Sequence, residues 1–247
     1  MINNDNKVLI DIQDVTKSFG TNEVLKGVTL QLYENENLVV LGKSGSGKSV
    51  LIKCIVNLLE VDSGLIKVID LEVNSENEED LLAIREKIGF LFQGAALYDS
   101  MTVRENLTFP LTRSKKKITV DNIEAKIIEA LENVSLPDAI DKMPSELSGV
   151  MKKRIGLART LINNPKILLY DEPTTGLDPI TSDEISDLIN KTKEKYKTSS
   201  IIISHDIRCV KAVADRIIML KDGAVYKEGT LQEFEADQDA YIKSFFK

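Results

Sequence analysis

Gly42-Lys43-Ser44-Gly45-Ser46-Gly47-Lys48-Ser49 follows the apolar run Leu38–Leu41 and opens a helical pattern over Ser49–Leu59. It fits G-x-x-x-x-G-K-[ST] in the strand-to-helix setting that the motif requires. Glycines let successive backbone N–H groups turn inward around phosphate oxygens, and the helix N-terminus adds its dipole. Lys48 is placed to reach the β- and γ-phosphates of a nucleotide, and the Ser49 hydroxyl to bind Mg2+. Gly42, Lys43, Ser44, Gly45, Ser46, Gly47, Lys48 and Ser49 are therefore the nucleotide-binding candidates.

Two other apolar runs end in chemistry. Ile167-Leu168-Leu169-Tyr170 leads into Asp171 and Glu172. A carboxylate at such a strand tip can hold Mg2+, which makes Asp171 a metal candidate. Glu172, one residue further, can polarise an attacking water as general base. Ile201–Ile203 leads into Ser204-His205-Asp206, and His205 is the only histidine of the chain. Ligand sites of α/β sheets form at strand ends of this kind, so His205 is expected to contact the γ-phosphate.

Strand candidates are Val8–Val15, Asn37–Leu41, Leu65–Ile69, Ile88–Phe92, Lys166–Tyr170, Ser200–Ile203 and Arg216–Leu220. The central ones are nearly all apolar, as strands covered on both faces should be. Ile123, Ile127, Leu131 and Val134 mark one helix, and Ile185, Leu188 and Ile189 another. Alternating strands and helices predict an α/β sheet with helices on its faces. From Gln93 to Asn164 no strand pattern appears, and helical patterns are broken by Pro110, Pro137 and Pro144. The chain thus reads as one domain over 1–247. Its core spans 1–93 and 165–235, a helical subdomain 94–164 is inserted, and 236–247 is a short tail. The Ser75–Asp80 and Lys115–Lys117 stretches read as solvated loops. Tyr241, Phe245 and Phe246 are expected to pack on the chain's own helices.

The composition narrows the function classes. With 247 residues and 43% apolar side chains, a full core can form without disulfides. Acidic residues number 39 against 32 basic, a net charge of −7, which argues against nucleic acid held by charge alone. Cys54 and Cys209 sit in apolar runs and read as buried thiols of a reducing compartment. No run approaches the roughly 18–20 uncharged apolar residues of a membrane span. Met1–Asp11 has no basic n-region and no apolar h-region, so a cytoplasmic protein is expected.

Leu147-Ser148-Gly149 ahead of the Asp171-Glu172 strand adds to this picture. So do Gln93 after a strand, Gly176-Leu177-Asp178 after the acidic pair, and the single His205. Together they resemble the ATP-binding cassette (ABC) ATPases over roughly Ile10 to Thr230. The resemblance implies a P-loop NTPase (RecA-like) α/β core with the inserted helical subdomain and an N-terminal antiparallel β portion. It implies that ATP and Mg2+ are bound, with Phe19 stacking on adenine. Two copies would form a homodimer sandwiching two ATPs. Ser148 and Gly149 of one copy would complete the site holding Lys48, Glu172 and His205 of the other, and Asp178 would tie the two sites together. Gln93 would sense Mg2+ and link the site to the helical subdomain, which docks on a membrane partner. One position departs from the family's pattern: Val150 stands where a second glycine is usual, and Met151 where a glutamine is. A valine at 150 cannot take φ > 0 cheaply and brings bulk near the nucleotide, so a slower or weaker closed dimer than a glycine would give is expected.

Within the family, the run Phe90 to Val103 with Asn106 and Pro110-Leu111 resembles ATPases of MCE-type lipid transporters, the Mla group. Thr175-Gly176-Leu177-Asp178-Pro179-Ile180-Thr181 and Met151 resemble the same group. This implies an integral membrane permease, a periplasmic MCE-type lipid-binding protein, phospholipid cargo and a place on the cytoplasmic face of the inner membrane, with no nucleic acid. Alternatives are lipoprotein-release, amino-acid-import and division-type ABC systems, and a cytosolic iron–sulfur assembly ATPase. A P-loop kinase has no use for Leu147-Ser148-Gly149.

Overall fold

Residues 7–73, 77–113 and 119–246 are described by the structure, a computed structural model. The first part of the chain folds as β1 (Val8–Phe19), β2 (Asn22–Tyr33), β3 (Asn37–Leu41), α1 (Lys48–Ile55), β4 (Ser63–Val68) and β5 (Leu71–Glu72). Then come α2 (Glu78–Lys87), β6 (Ile88–Leu91), α3 (Val103–Arg113), α4 (Val120–Asn133) and α5 (Gly149–Leu161). The remainder is β7 (Ile167–Asp171), α6 (Pro179–Tyr196), β8 (Ser199–Ser204), α7 (Ile207–Val213), β9 (Arg216–Lys221), β10 (Ala224–Gly229), α8 (Leu231–Glu235) and α9 (Ala240–Phe246).

The larger sheet has the order β10-β9-β3-β8-β7-β6. Its strands run parallel except β10, which pairs antiparallel with β9 at the edge. Every residue of β3, β7 and β8 is buried, which is why their sequences carry no polar alternation. Alternate side chains still serve different cores, because successive Cβ atoms point to opposite faces. Leu38 and Val40 enter a cluster with Ile10, Ile52 and Ile66. Val39 and Leu41 enter another with Tyr170, Met219 and Phe234. The smaller sheet, β2-β1-β4-β5, is antiparallel and supplies the first cluster's other wall.

Buried Arg216 ties the sheets together. Its guanidinium donates to both Glu36 oxygens at 2.7 and 2.8 Å, to Glu228 Oε1 at 2.5 Å and to the Gln31 carbonyl at 2.6 Å. α3, α4 and α5 surround a third cluster that includes Val103, Leu107, Leu131 and Ile155. Among the described residues no helix is long and apolar enough to cross a membrane.

Some expectations are corrected. Pro110 does not break a helix but lies inside α3. Val103, Leu107 and Leu111 are buried one turn apart along that helix, and their packing outweighs the roughly 3 kcal/mol proline penalty. Glu78, Glu79 and Asp80, read as loop, form the first turn of α2, where the Asn77 side chain accepts from Glu79 N–H. Acidic residues are stabilised at a helix N-terminus. The helix after the phosphate loop stops at Ile55 rather than Leu59. Strands β2 and β10 were not anticipated, although Val28, Leu30 and Leu32 alternate along β2 as a half-buried strand should. The Lys115–Lys117 stretch lies outside the described residues.

Candidate functional site

The loop from Gly42 to Gly47 joins β3 to α1. Gly45 and Gly47 have φ of +82° and +100°, the left-handed region. At Gly47 a Cβ would also come within 2.8 Å of Leu25 Cδ2 and 2.9 Å of the Val24 carbonyl, so only glycine fits. α1 then begins at Lys48, whose side chain is 6% exposed. The Lys48 Nζ donates to the carbonyls of Gly42 at 2.7 Å and Lys43 at 3.0 Å, and lies 3.9 Å from Glu172 Oε1. Burial lowers the Lys48 pKa, opposed by the carboxylates of Glu172 and Asp171.

The strand ends converge on this loop because β3, β8 and β7 are neighbours in register, Leu41 opposite Ser204 and Asp171 opposite Ile203. The Ser49 hydroxyl donates to Asp171 Oδ1 at 3.0 Å. Burial raises the Asp171 pKa, and that bond pulls against the shift. Glu172 has a φ of +51°, an uncommon conformation for a residue with a Cβ. Its N–H donates to the Ile203 carbonyl at 3.0 Å. Its Oε2 accepts from the Thr175 hydroxyl at 3.0 Å and lies 2.8 Å from His205 Nδ1.

Lys43, Ser44, Gly45, Gly47, Lys48, Ser49, Glu172 and His205 line a cleft of about 680 Å3 that also takes in Asn22, Val24, Val50, Gln93 and Phe245, whereas Gly42, Ser46 and Asp171 are not among its lining residues. Phe245 was not foreseen as a site residue. It comes from α9, along which Tyr241 meets Phe245 edge-on at 5.4 Å, and the Tyr241 ring lies 5.1 Å from Lys43 Nζ. The aromatic triad does pack on the chain's own core, as expected, with Phe246 6.0 Å from Phe234.

Other sequence candidates stand outside the cleft lining. Phe19 is 48% exposed at the tip of the β1–β2 hairpin, and its cross-strand partner Asn22 is the residue that reaches the cleft. Ser148 caps α5 by accepting from the Met151 N–H at 3.2 Å. A Cβ added at Gly149 would meet nothing within 4 Å. Asp178 caps α6, accepting from the N–H groups of Ile180 and Thr181. The Thr181 hydroxyl bond holds its carboxyl below the usual carboxylate range. Val150 corrects an expectation: it lies within the first turn of α5 and is absent from the residues with positive φ, so valine carries no left-handed strain there.

A buried lysine, a hydroxyl–carboxylate pair, and a carboxylate held by histidine surround one glycine-rich turn. The comparisons with known proteins agree with that arrangement. The ABC transporter family matches residues 25–175. A chloroplastic protein of Arabidopsis thaliana, Protein TRIGALACTOSYLDIACYLGLYCEROL 3, is 36% identical over 99% of this chain and 75% of its own length. The methionine import ATP-binding protein MetN of Clostridium tetani is 34% identical over 97% of this chain and 74% of its own. Among solved structures, a dimeric ATP-binding cassette in a post-hydrolysis state with ADP and Pi superposes with a TM-score of 0.81. It is 32% identical and spans 90% of this chain and 99% of that one. The chain belongs to the ABC transporter family and is its ATP-binding subunit, an ATPase.

Proposed function

We propose that this ATPase powers phospholipid transport through an MCE/Mla-type permease complex. The observation that carries the reading is the 36% identity, over 99% of this chain, with a protein named for a glycolipid. The chain would sit on the cytoplasmic face of the inner membrane beneath an integral permease, with a periplasmic MCE-type lipid-binding protein beyond it. A second reading, amino-acid import, is favoured by the similarity to the methionine import protein.

Gly42 through Ser49 bind the phosphates, and Lys48 exchanges its two carbonyl partners for β- and γ-phosphate oxygens. Ser49, Asp171 and Gln93 offer only oxygen and amide donors, and the buried, incompletely compensated Asp171 carboxylate suits a hard cation, so the set fits Mg2+. When bound, the ion neutralises charge on the phosphates. Glu172 orients a water and accepts its proton as the water oxygen attacks the γ-phosphorus and ADP leaves. His205 holds Glu172 in place and meets the γ-phosphate. Phe19 serves the adenine. In a homodimer, Ser148 and Gly149 of a second copy close over the phosphates, with Asp178 joining the two sites.

The helical subdomain, 94–164, transmits closure to the permease. A groove of about 500 Å3 between it and the β6 edge, walled by Phe90, Phe92, Tyr98 and Phe109, is a suitable docking place. Closing lids and domains of this kind is how binding energy becomes motion.

Glu172→Gln should retain ATP while turnover falls about 10²–10⁴-fold, the contribution of a positioned general base. Captured with ATP from detergent-solubilised membranes, it should bring a multi-spanning permease, an MCE protein and phospholipid. A permease with a periplasmic amino-acid-binding protein would support the second reading. A soluble complex without a membrane protein would refute both.

A further inference from the structure

We propose that Lys153 is a positioning residue for hydrolysis: through α5 it fixes the turn that carries Glu172. The proposal rests on the reading of Glu172 as general base. Lys153 lies on the helix that Ser148 caps, is 9% exposed, and donates from Nζ to the carbonyls of Pro173 at 2.7 Å and Thr175 at 2.8 Å. Those carbonyls belong to the turn in which Glu172 takes its left-handed φ of +51° and Gly176 its φ of +79°. A residue with a Cβ holds such a conformation only where its surroundings impose it. On the far side, the Thr174 hydroxyl donates to Asp206 Oδ2 at 2.9 Å. The turn is thus gripped from α5 and from the start of α7.

The energetics point the same way. Burial lowers the Lys153 pKa, with Glu172 opposing it. Among the described residues the ammonium forms no ion pair: Glu172 offsets its burial only in part, and its bonds go to neutral carbonyls. A buried cation in that state is a poor source of stability, and an apolar side chain of similar length would be cheaper. Its value lies in where it holds the backbone. α5 treats the other catalytic loop alike. Arg159 donates to the carbonyls of Ala96 at 2.9 Å and Ala95 at 3.0 Å, alanines with φ of +49° and +60° just after Gln93. At Gly156 an added Cβ would lie 2.9 Å from Ala95 Cβ, so helix and loop touch. One helix therefore holds both loops of its own site, while its capping serine serves the site of a second copy. Occupancy at one site can move the base at the other through this strut.

The test is turnover and ATP binding of the full-length chain carrying Lys153→Met, Lys153→Gln, Glu172→Gln or Lys153→Met with Glu172→Gln. Displacement of a reacting group by about 1 Å can cost about 10²-fold. Lys153→Met should therefore lower kcat by roughly 10–100-fold, with affinity for a fluorescent ATP analogue within about twofold of wild type. Lys153→Gln keeps two N–H donors and should recover kcat to within about threefold of wild type. The double variant should be no slower than Glu172→Gln alone, because two residues acting as one unit are not additive. An unchanged kcat in Lys153→Met overturns the proposal. So does a parallel loss of kcat and ATP affinity that Lys153→Gln fails to recover, since that marks a packing role. If Glu172→Gln turns over normally, the reading of Glu172 fails instead, independently of the Lys153 variants.

Discussion

Lys48→Met separates what the phosphate-loop lysine does for the fold from what it does for the nucleotide. In the free protein the ammonium makes two bonds to loop carbonyls and is buried. Its pKa is lowered by that burial, so the folded state binds fewer protons than the unfolded state between the lowered value and 10.5. Stability therefore rises with pH across that window, and below it the charged form carries its burial penalty in full. Methionine removes the penalty together with the two bonds; of the freed carbonyls, that of Lys43 belongs to a residue on the cleft lining and that of Gly42 is buried. The free variant should melt within about 2 °C of wild type or higher. The nucleotide response differs. At an ATP concentration of about 100 Kd the wild type gains about 2.7 kcal/mol. A chain of this length shifts about 2–4 °C per kcal/mol, hence about 5–11 °C. Losing a charge-assisted bond of about 1.5–3 kcal/mol weakens binding about 10–150-fold. The same ATP concentration then stabilises by only about 0.3–1.3 kcal/mol, a shift of about 1–5 °C. Thermal melts with and without MgATP read both numbers. A variant that keeps the full wild-type shift, or whose free form melts more than about 8 °C lower, would refute the reasoning.

Asp171→Asn should act similarly at the position proposed for Mg2+. Burial raises the Asp171 pKa, so its penalty is present in full above the folded-state value and is relieved as pH falls toward 3.8. At pH 7 the free variant should melt higher than wild type, the gap closing as the pH is lowered, and Mg2+ should no longer enlarge the ATP shift. A lower melting point at pH 7 would contradict this. Arg216→Met leaves the Glu36 carboxylate, 11% exposed, without its bidentate partner. Removing one member of a buried pair costs about 3–5 kcal/mol, so the melting point should drop by roughly 6–20 °C, with part of the loss recovered by adding Glu36→Gln.

Legibility in the sequence followed how local each signal was. The phosphate loop, β3, β7 and β8 are short and contiguous, and full burial leaves them uninterrupted runs that need no partner to be recognised. The convergence of Asp171, Glu172, Gln93 and His205 on that loop follows once those strands lie side by side. β2 is less legible because Lys26, Thr29 and Gln31 interrupt its apolar run, although its alternation is there to read. Pro110 misled because helix propensity is weaker than the packing of α3. Val150 misled because the Ser148 cap starts a helix at Gly149 and so gives position 150 an ordinary φ. Phe245 had no local signal at all, since its place in the cleft depends on the whole of α9 returning to the phosphate loop.

The order of strands in the larger sheet also sets a timetable for synthesis. β3 has β8 and β9 as its neighbours, with Leu38 opposite Ile201 on one side and Arg216 on the other. At roughly 5–20 residues per second, about 8–32 s separate the emergence of β3 from that of β8 on the ribosome. The β1–β2 hairpin can form during that wait, but Leu38–Leu41 stays an unpaired apolar strand and the phosphate loop has nothing to brace it. A nascent chain halted before β8 would therefore offer that strand to a chaperone or to aggregation, and nucleotide binding would report that synthesis has passed β9.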